Sequence, residues 1–174
     1  MSTSLSSRPT DIAAALDAIE SRDAVRKIKA SYMQGLDDRR RGAVAEIFWQ
    51  DAVWESLPDR APEGHQSAST GGQIVGRDAI AQSFVDAAAA MSFTAHFLTN
   101  EDITVDGDYA VGRWKLLQAC TSTGGRAFWQ AGVYTDDFER RDGVWKISHL
   151  RLAMDFRTPF DQGWAIERMW ELPG

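Results

Sequence analysis

Three features of the sequence predict an α+β fold, with helices in the first half of the chain and a curved antiparallel sheet wrapped on them in the second. Apolar residues of the first half recur at three- and four-residue intervals, the spacing that puts one stripe of a helix against a core. From position 93 onward the chain is a series of runs rich in Val, Ile, Tyr, Phe and Trp, the residues that suit a pleated surface. Those runs are joined at Asp106-Gly107-Asp108, Thr123-Gly124-Gly125 and Arg141-Asp142-Gly143, and Asp-Gly is a strong short-range hairpin signal. Consecutive tight connections make a meander, and a meander with helices gathered before it is an α+β layer structure.

Taken in order, residues 1–9 are Ser-rich and read as a disordered tail, with Thr10 or Asp11 capping a short helix over 12–20. Ser21 is placed to cap a second helix running to about Leu36, in which Ala24, Val25, Ile28, Tyr32 and Leu36 form the inward stripe. A third, short helix is predicted over 43–49 and a strand over 52–55. Residues 57–73 are a loop of Pro, Gly, Ser and Thr, longer than compact domains usually carry and therefore a lid by expectation. A helix over 79–91 precedes the strands 93–105 and 109–121. The last hairpin, 127–156, is the centre of the prediction. Phe128 and Tyr134 fall on one face of its first arm and Trp129 and Val133 on the other, while Trp145 and Ile147 oppose Leu150 and Leu152 in the second. A strand apolar on both faces is covered on both, which places the hairpin in the middle of its sheet. One domain over 10–160 is expected, followed by a tail, 161–174, whose helix-like aromatic pattern suits a cavity cover or a subunit contact.

The bulk numbers narrow the function classes. The 174 residues carry 25 acidic and 19 basic side chains, a net charge of -6, which argues against a general nucleic-acid binder. No apolar run approaches the roughly 20 residues of a membrane-spanning helix, and the first ten residues lack the apolar core of a secretory signal. A cytoplasmic location with no membrane partner is the default expectation. Cys120 is the one cysteine, so no internal disulfide forms, and three scattered histidines give no metal cluster. Without a phosphate-binding glycine loop or a Gly-x-Ser-x-Gly elbow, nucleotide and flavin chemistry lose support, and no cofactor is expected. His65 lies in the Ser/Gly loop and reads as solvated. His96 and His149 lie on predicted strands among apolar neighbours, where structural roles are common. Tyr32 and Asp37 are five residues apart, about 140° around a helix, so both face one cavity only if that helix ends near Gly35. A buried Asp37 needs a partner, and an imidazole from the first sheet strand would serve as base with its tautomer set by the carboxylate. From spacing alone, Asp37 and Asp38 read more readily as exposed residues after a helix.

Several of these segments together resemble one family. Tyr32-x4-Asp37, Ile47-Phe48-Trp49-Gln50-Asp51-Ala52-Val53-Trp54, His96-x3-Asn100 and the hairpin from Gly132 to Lys146 are similar to the SnoaL-like family of the nuclear transport factor 2-like superfamily. Hexachlorocyclohexane dehydrochlorinases, scytalone dehydratases, bile acid 7α-dehydratases and diarylpropane lyases share its cone. The resemblance implies a cone-shaped sheet and cofactor-independent lyase chemistry. His96 matches the catalytic base, Asp37 the residue that orients it, and Tyr32 the tyrosine that polarises a substrate oxygen. The arginine some members carry in the last strand falls at Leu150 here, with Arg113 or Arg151 as possible replacement cations. Trp49, Trp54, Phe93, Trp114, Trp129 and Leu150 are the expected substrate-binding residues, the substrate being a hydroxylated cyclic or aromatic small molecule. A homo-oligomer, dimer or trimer, is expected. A non-catalytic binding or oligomerisation module and an isomerase of the same fold remain the alternatives at this point.

Overall fold

Why the first half forms one helix and not two is clear from its junction. The computed structural model describes residues 11–60 and 71–171, apart from the side chain of Arg41. In it α1 runs unbroken over Ile12–Asp37, with the Asp11 carboxylate accepting from the backbone N–H groups of Ala13 and Ala14. Nothing between Glu20 and Ser21 stops a helix, since neither Gly nor Pro intervenes. Ser21, expected as a cap, is instead buried mid-helix, its hydroxyl accepting from Arg140 at 3.4 Å. Arg140 also pairs with Asp17 at 2.6 Å, tying this half of α1 to the sheet.

The short α2, Arg41–Ala45, crosses α1 at Gly35, where a Cβ would lie 2.2 Å from Val44 Cγ2. The helix expected over 43–49 thus ends early, because Phe48 and Trp49 already belong to β1, Phe48–Ser56. A second strand not foreseen, β2, Gly72–Val75, pairs antiparallel with it. Helix α3, Arg77–Ala89, packs over β1, and β3, Met91–Asp106, β4, Tyr109–Ser122, β5, Ala127–Arg141, and β6, Val144–Pro159, form the meander. The sheet order is β2-β1-β6-β5-β4-β3, with β1 parallel to β6, so the β5–β6 hairpin occupies the middle, as its two-sided apolar pattern predicts.

Bulges decide which residues face the helices. In β6 the partner of Asp137 is His149 and that of Phe138 is Ile147, leaving Ser148 unpaired. The extra residue reverses the side of everything beyond it. Trp145, Ile147, Leu150 and Leu152 therefore share the concave face, correcting the opposition expected from strict alternation. A second slip lies between Met154 and Phe156, and β3 has one between Thr99 and Asp102, where Asn100 adopts φ 54°. The core fills the space between concave sheet and helices, with Val25, Tyr32, Phe48, Ile80, Phe138 and Ile147 all at most 2% exposed.

Beyond Pro159 the chain turns without forming the helix its pattern suggested. Gly163 sits at φ 78°, and the chain returns along β6 through hydrogen bonds between the backbones of Arg157 and both Arg168 and Trp170. Trp170 is buried against Phe128, with ring centroids 5.3 Å apart, and beside Cys120. Residues 1–9, most of the expected lid and its His65 lie outside the described residues. Among the described residues no helix is long and apolar enough to cross a membrane.

Candidate active site

Asp37 is the last residue of α1, and the helix does not stop at Gly35. The angle between Tyr32 and Asp37 is therefore preserved, and the two residues do different things. Tyr32 points into the cone, whereas Asp37 reaches sideways to β3. There its carboxylate is held at three points: Thr94 Oγ1 donates to Oδ1 at 2.8 Å, the His96 backbone N–H donates to Oδ2 at 2.9 Å, and His96 Nδ1 lies 2.6 Å from Oδ1. A carboxylate at Nδ1 keeps the proton there and leaves the lone pair on Nε2. Among the described residues no protein group hydrogen-bonds that Nε2. The His96 side chain is 6% exposed. Burial lowers its pKa below the ordinary imidazole value, against the opposing pull of Asp37. The ring is consequently neutral near pH 7, which is the form a base requires.

His96 borders a cavity of about 210 Å³ between α1, α3 and the concave sheet, where Tyr32, Trp54, Phe84, Gln118 and Tyr134 also line the wall. Trp54 Nε1 donates to the Tyr32 hydroxyl oxygen at 3.3 Å, and the Tyr134 hydroxyl interacts with it in the sense of a second donor, so the phenolic proton is the group Tyr32 has left to offer. Burial raises the Tyr32 pKa well above its usual range, and the residue stays a neutral donor. Arg39 stands at the rim, its guanidinium donating to the carbonyls of Met91 and Ser92. A wider groove of about 540 Å³ on the other side of His96 is bordered by Arg26, Lys29, Glu101 and Trp114. The smaller cavity is the better reaction chamber, because Tyr32, Trp54 and His96 converge on it.

Of the six expected substrate-binding residues, only Trp54 lines that cavity. Trp49 lies on the opposite face of β1 from Phe48, stacked by Arg141 at 4.8 Å and hydrogen-bonded to the Glu139 carbonyl. Phe93, 52% exposed, and Trp129 occupy odd-numbered positions that face away from the helices. Trp114 borders the groove and not the cavity, with its ring 6.2 Å from that of Phe138. Leu150 is wholly buried in the core opposite Asp136. Neither expected cation enters the cavity. Arg113 is exposed on the convex face, and Arg151 is held there by Asp137 at 2.7 Å and by His149, whose Nε2 lies 2.8 Å from Glu55. Among the described residues no group of three His, Cys, Asp or Glu side chains is disposed to hold a metal ion.

Sequence reasoning missed a buried ion pair beneath the site. Lys29 Nζ lies 2.7 Å from Asp136 Oδ2 and 3.3 Å from the centroid of the Tyr134 ring. Burial pushes the ammonium down to about 8 and the carboxyl up. The signal was present: Lys29 interrupts the inward stripe between Val25 and Tyr32, and Asp136 takes an inward place between Tyr134 and Phe138.

Comparison with known proteins identifies the family and the fold. The model of the SnoaL-like domain matches residues 17–151. Hexachlorocyclohexane dehydrochlorinase 1 of Sphingobium indicum is 30% identical over 149 residues, 83% of this chain and 88% of that protein. The crystal structure of a type-3 hexachlorocyclohexane dehydrochlorinase from Novosphingobium barchaimii superposes with a TM-score of 0.71 at 29% identity, over 91% of this chain and 99% of that one. A nuclear transport factor 2-like protein with a cystatin-like fold from Novosphingobium aromaticivorans, 23% identical, shares the fold with a TM-score of 0.63 over 94% and 96% of the two chains.

Proposed function

The chain belongs to the SnoaL-like domain family, and from that premise we propose that it is a cofactor-independent lyase acting on a hydroxylated cyclic or aromatic small molecule. The observation that carries this reading is the 2.6 Å contact of Asp37 with His96 Nδ1 beside a cavity that also receives Tyr32. His96 Nε2 removes a proton from the carbon next to the one bearing the leaving group. The electrons of that C–H bond become the new double bond, and the C–O bond breaks. The imidazolium then returns its proton to the departing hydroxyl, so water leaves and the base is restored. Asp37 stabilises the imidazolium, and Tyr32 donates a hydrogen bond to substrate oxygen. A positioned base contributes about 10²–10⁴-fold, and a preorganised donor to a developing oxyanion adds a comparable factor. For C–C cleavage the same base takes the O–H proton of a hydroxymethyl group instead: the O–H electrons form the carbonyl of a departing aldehyde, and the electrons of the broken C–C bond pass to a conjugated carbonyl of the ring, whose oxygen takes a hydrogen bond from Tyr32.

The similar proteins named as dehydrochlorinases eliminate chloride, and the same base would serve that reaction. Carbon–oxygen cleavage is favoured here because the last-strand position holds Leu150 and because Arg113 and Arg151 lie outside the cavity. The test is turnover of a panel of cyclic alcohols, hydroxyaryl compounds and chlorocycloalkanes, followed by the absorbance of the unsaturated product and by chloride release. Loss of turnover in His96→Gln with native folding is expected. An undiminished rate in that variant overturns the reading, and chloride release without any dehydration replaces the leaving group.

A further inference from the structure

Four residues, three of which line the cavity, stand side by side on four adjacent strands. His96 of β3 is in register with Gln118 of β4, Gln118 with Gln130 of β5, and Gln130 with Arg157 of β6. The row is hydrogen-bonded from its far end. Arg157 Nε donates to Gln130 Oε1 at 3.1 Å, and Gln130 Nε2 donates to Gln118 Oε1 at 2.5 Å.

The direction of this row follows from chemistry. A side-chain amide can ordinarily be turned either way. A guanidinium, however, has five N–H donors and no acceptor, so only the Gln130 carbonyl can face Arg157. Gln130 must then present its NH₂ to Gln118, and Gln118 must answer with its oxygen. What remains is the Gln118 NH₂. Among the described residues nothing accepts from it, although Gln118 is only 6% exposed and lines the cavity together with His96 and Tyr32. The NH₂ group therefore opens to the cavity space, where a ligand oxygen can meet it.

We propose that Gln118 is an oxygen-binding residue of the site, its amide aimed by Gln130 and Arg157 at a carbonyl or phenolate oxygen carried on the substrate ring. This deepens the lyase reading and rests on it for its chemistry: two neutral donors, the Gln118 NH₂ and the Tyr32 hydroxyl, hold the oxygen on which charge develops while His96 takes the proton. Gln118 thereby supplies electrophilic assistance that no cation supplies from the position of Leu150. Arg157 and Gln130 are positioning residues, acting through Gln118.

A matched pair of ring probes tests the proposal without turnover: 4-nitrophenol, titrated as its phenolate, and 4-nitrotoluene, which has a methyl group in place of the oxygen. Both are titrated by quenching of tryptophan fluorescence. The native protein is expected to bind the phenolate about 10-fold or more tightly than the toluene, the scale of one hydrogen bond to a charged group. Gln118→Leu should cut that preference about 10-fold, leaving only the share due to Tyr32, with 4-nitrotoluene affinity unchanged, and Gln118→Glu should reverse it by placing a carboxylate at the oxygen. Arg157→Met should lose most of the preference because the amides are free to turn, and Arg157→Lys should keep it because the ammonium also only donates. A native protein without the preference, a Gln118→Leu variant that retains it in full, or equal weakening of both probes overturns the proposal. His96→Gln is expected to keep the preference while losing turnover, so failure of the base and failure of the donor are told apart.

Discussion

Exchanging Lys29 for methionine strands Asp136 in the core. Its Oδ2 loses the ammonium at 2.7 Å, and among the described residues its Oδ1 has no hydrogen-bond partner. The two side chains are 1% and 0% exposed, so the carboxylate has no recourse to water and takes up a proton. In the unfolded chain that carboxyl titrates near 3.9, and each pH unit above it costs about 1.36 kcal/mol, so holding the proton costs ~4 kcal/mol at pH 7 and ~1.5 kcal/mol at pH 5. The folded variant binds one proton more than its unfolded chain, and its deficit therefore grows as pH rises. Asp136→Leu does the reverse. Lys29 must then shed a proton it would keep to about 10.4 when unfolded, which costs ~4.6 kcal/mol at pH 7 and ~3.3 kcal/mol at pH 8. The native pair holds one proton folded and unfolded alike between about pH 5 and 7, so it adds little slope of its own in that window. Lys29→Met with Asp136→Leu should show neither slope and recover much of the stability, as replaced buried ion pairs do. Urea unfolding of the native protein and the three variants at several pH values reads these differences directly. The reasoning fails if the Lys29→Met deficit does not shrink at pH 5, if both single variants slope the same way, or if the double variant is as unstable as their sum.

Asp37→Asn should lower kcat by about 10²–10⁴-fold with little loss of substrate binding, because an amide holds the ring without enforcing the tautomer or stabilising imidazolium; kcat and KM measured separately give the answer. Because burial lowers the His96 pKa, the acid limb of the kcat/KM profile should fall below the ordinary imidazole value of about 6.5, with activity flat above it. A limb above that value would mean that the ring is not desolvated as described. Gly112→Ala should destabilise the fold by about 1–3 kcal/mol through overpacking, because its Cβ would lie 2.1 Å from Trp114 Cη2 while the indole nitrogen is held by Glu101 at 3.3 Å. Thermal unfolding checks this, at roughly 2–4 °C per kcal/mol for a chain of this size.

The elements of this protein were legible wherever their signals are local. Period, turn chemistry and strand composition placed α3 and the four long strands to within a few residues, and the two-sided apolar pattern placed the hairpin 127–156 at the middle of the sheet. Asp37 and His96 were paired by resemblance; spacing alone favoured reading Asp37 as an exposed residue beyond a helix. Local signals also misled where a possible boundary went unused, as at Ser21, since a serine that can cap a helix can also lie inside one when Arg140 takes its hydroxyl.

Tertiary structure decided which side each residue faces and which residues meet. One unpaired residue, Ser148, returned Leu150 and Leu152 to the face of Ile147 and kept Arg151 outside, and no periodicity within β6 announces it, because a bulge is a property of two strands in register. Lys29 and Asp136 each looked like a break in an apolar pattern and became a pair only when α1 was laid across β5, 107 residues away in sequence. The row from Arg157 to His96 depends on four strands being aligned at one height. Side-chain period is written along a chain, but hydrogen-bond direction and charge pairing are written across it, and only the folded sheet brings those terms together.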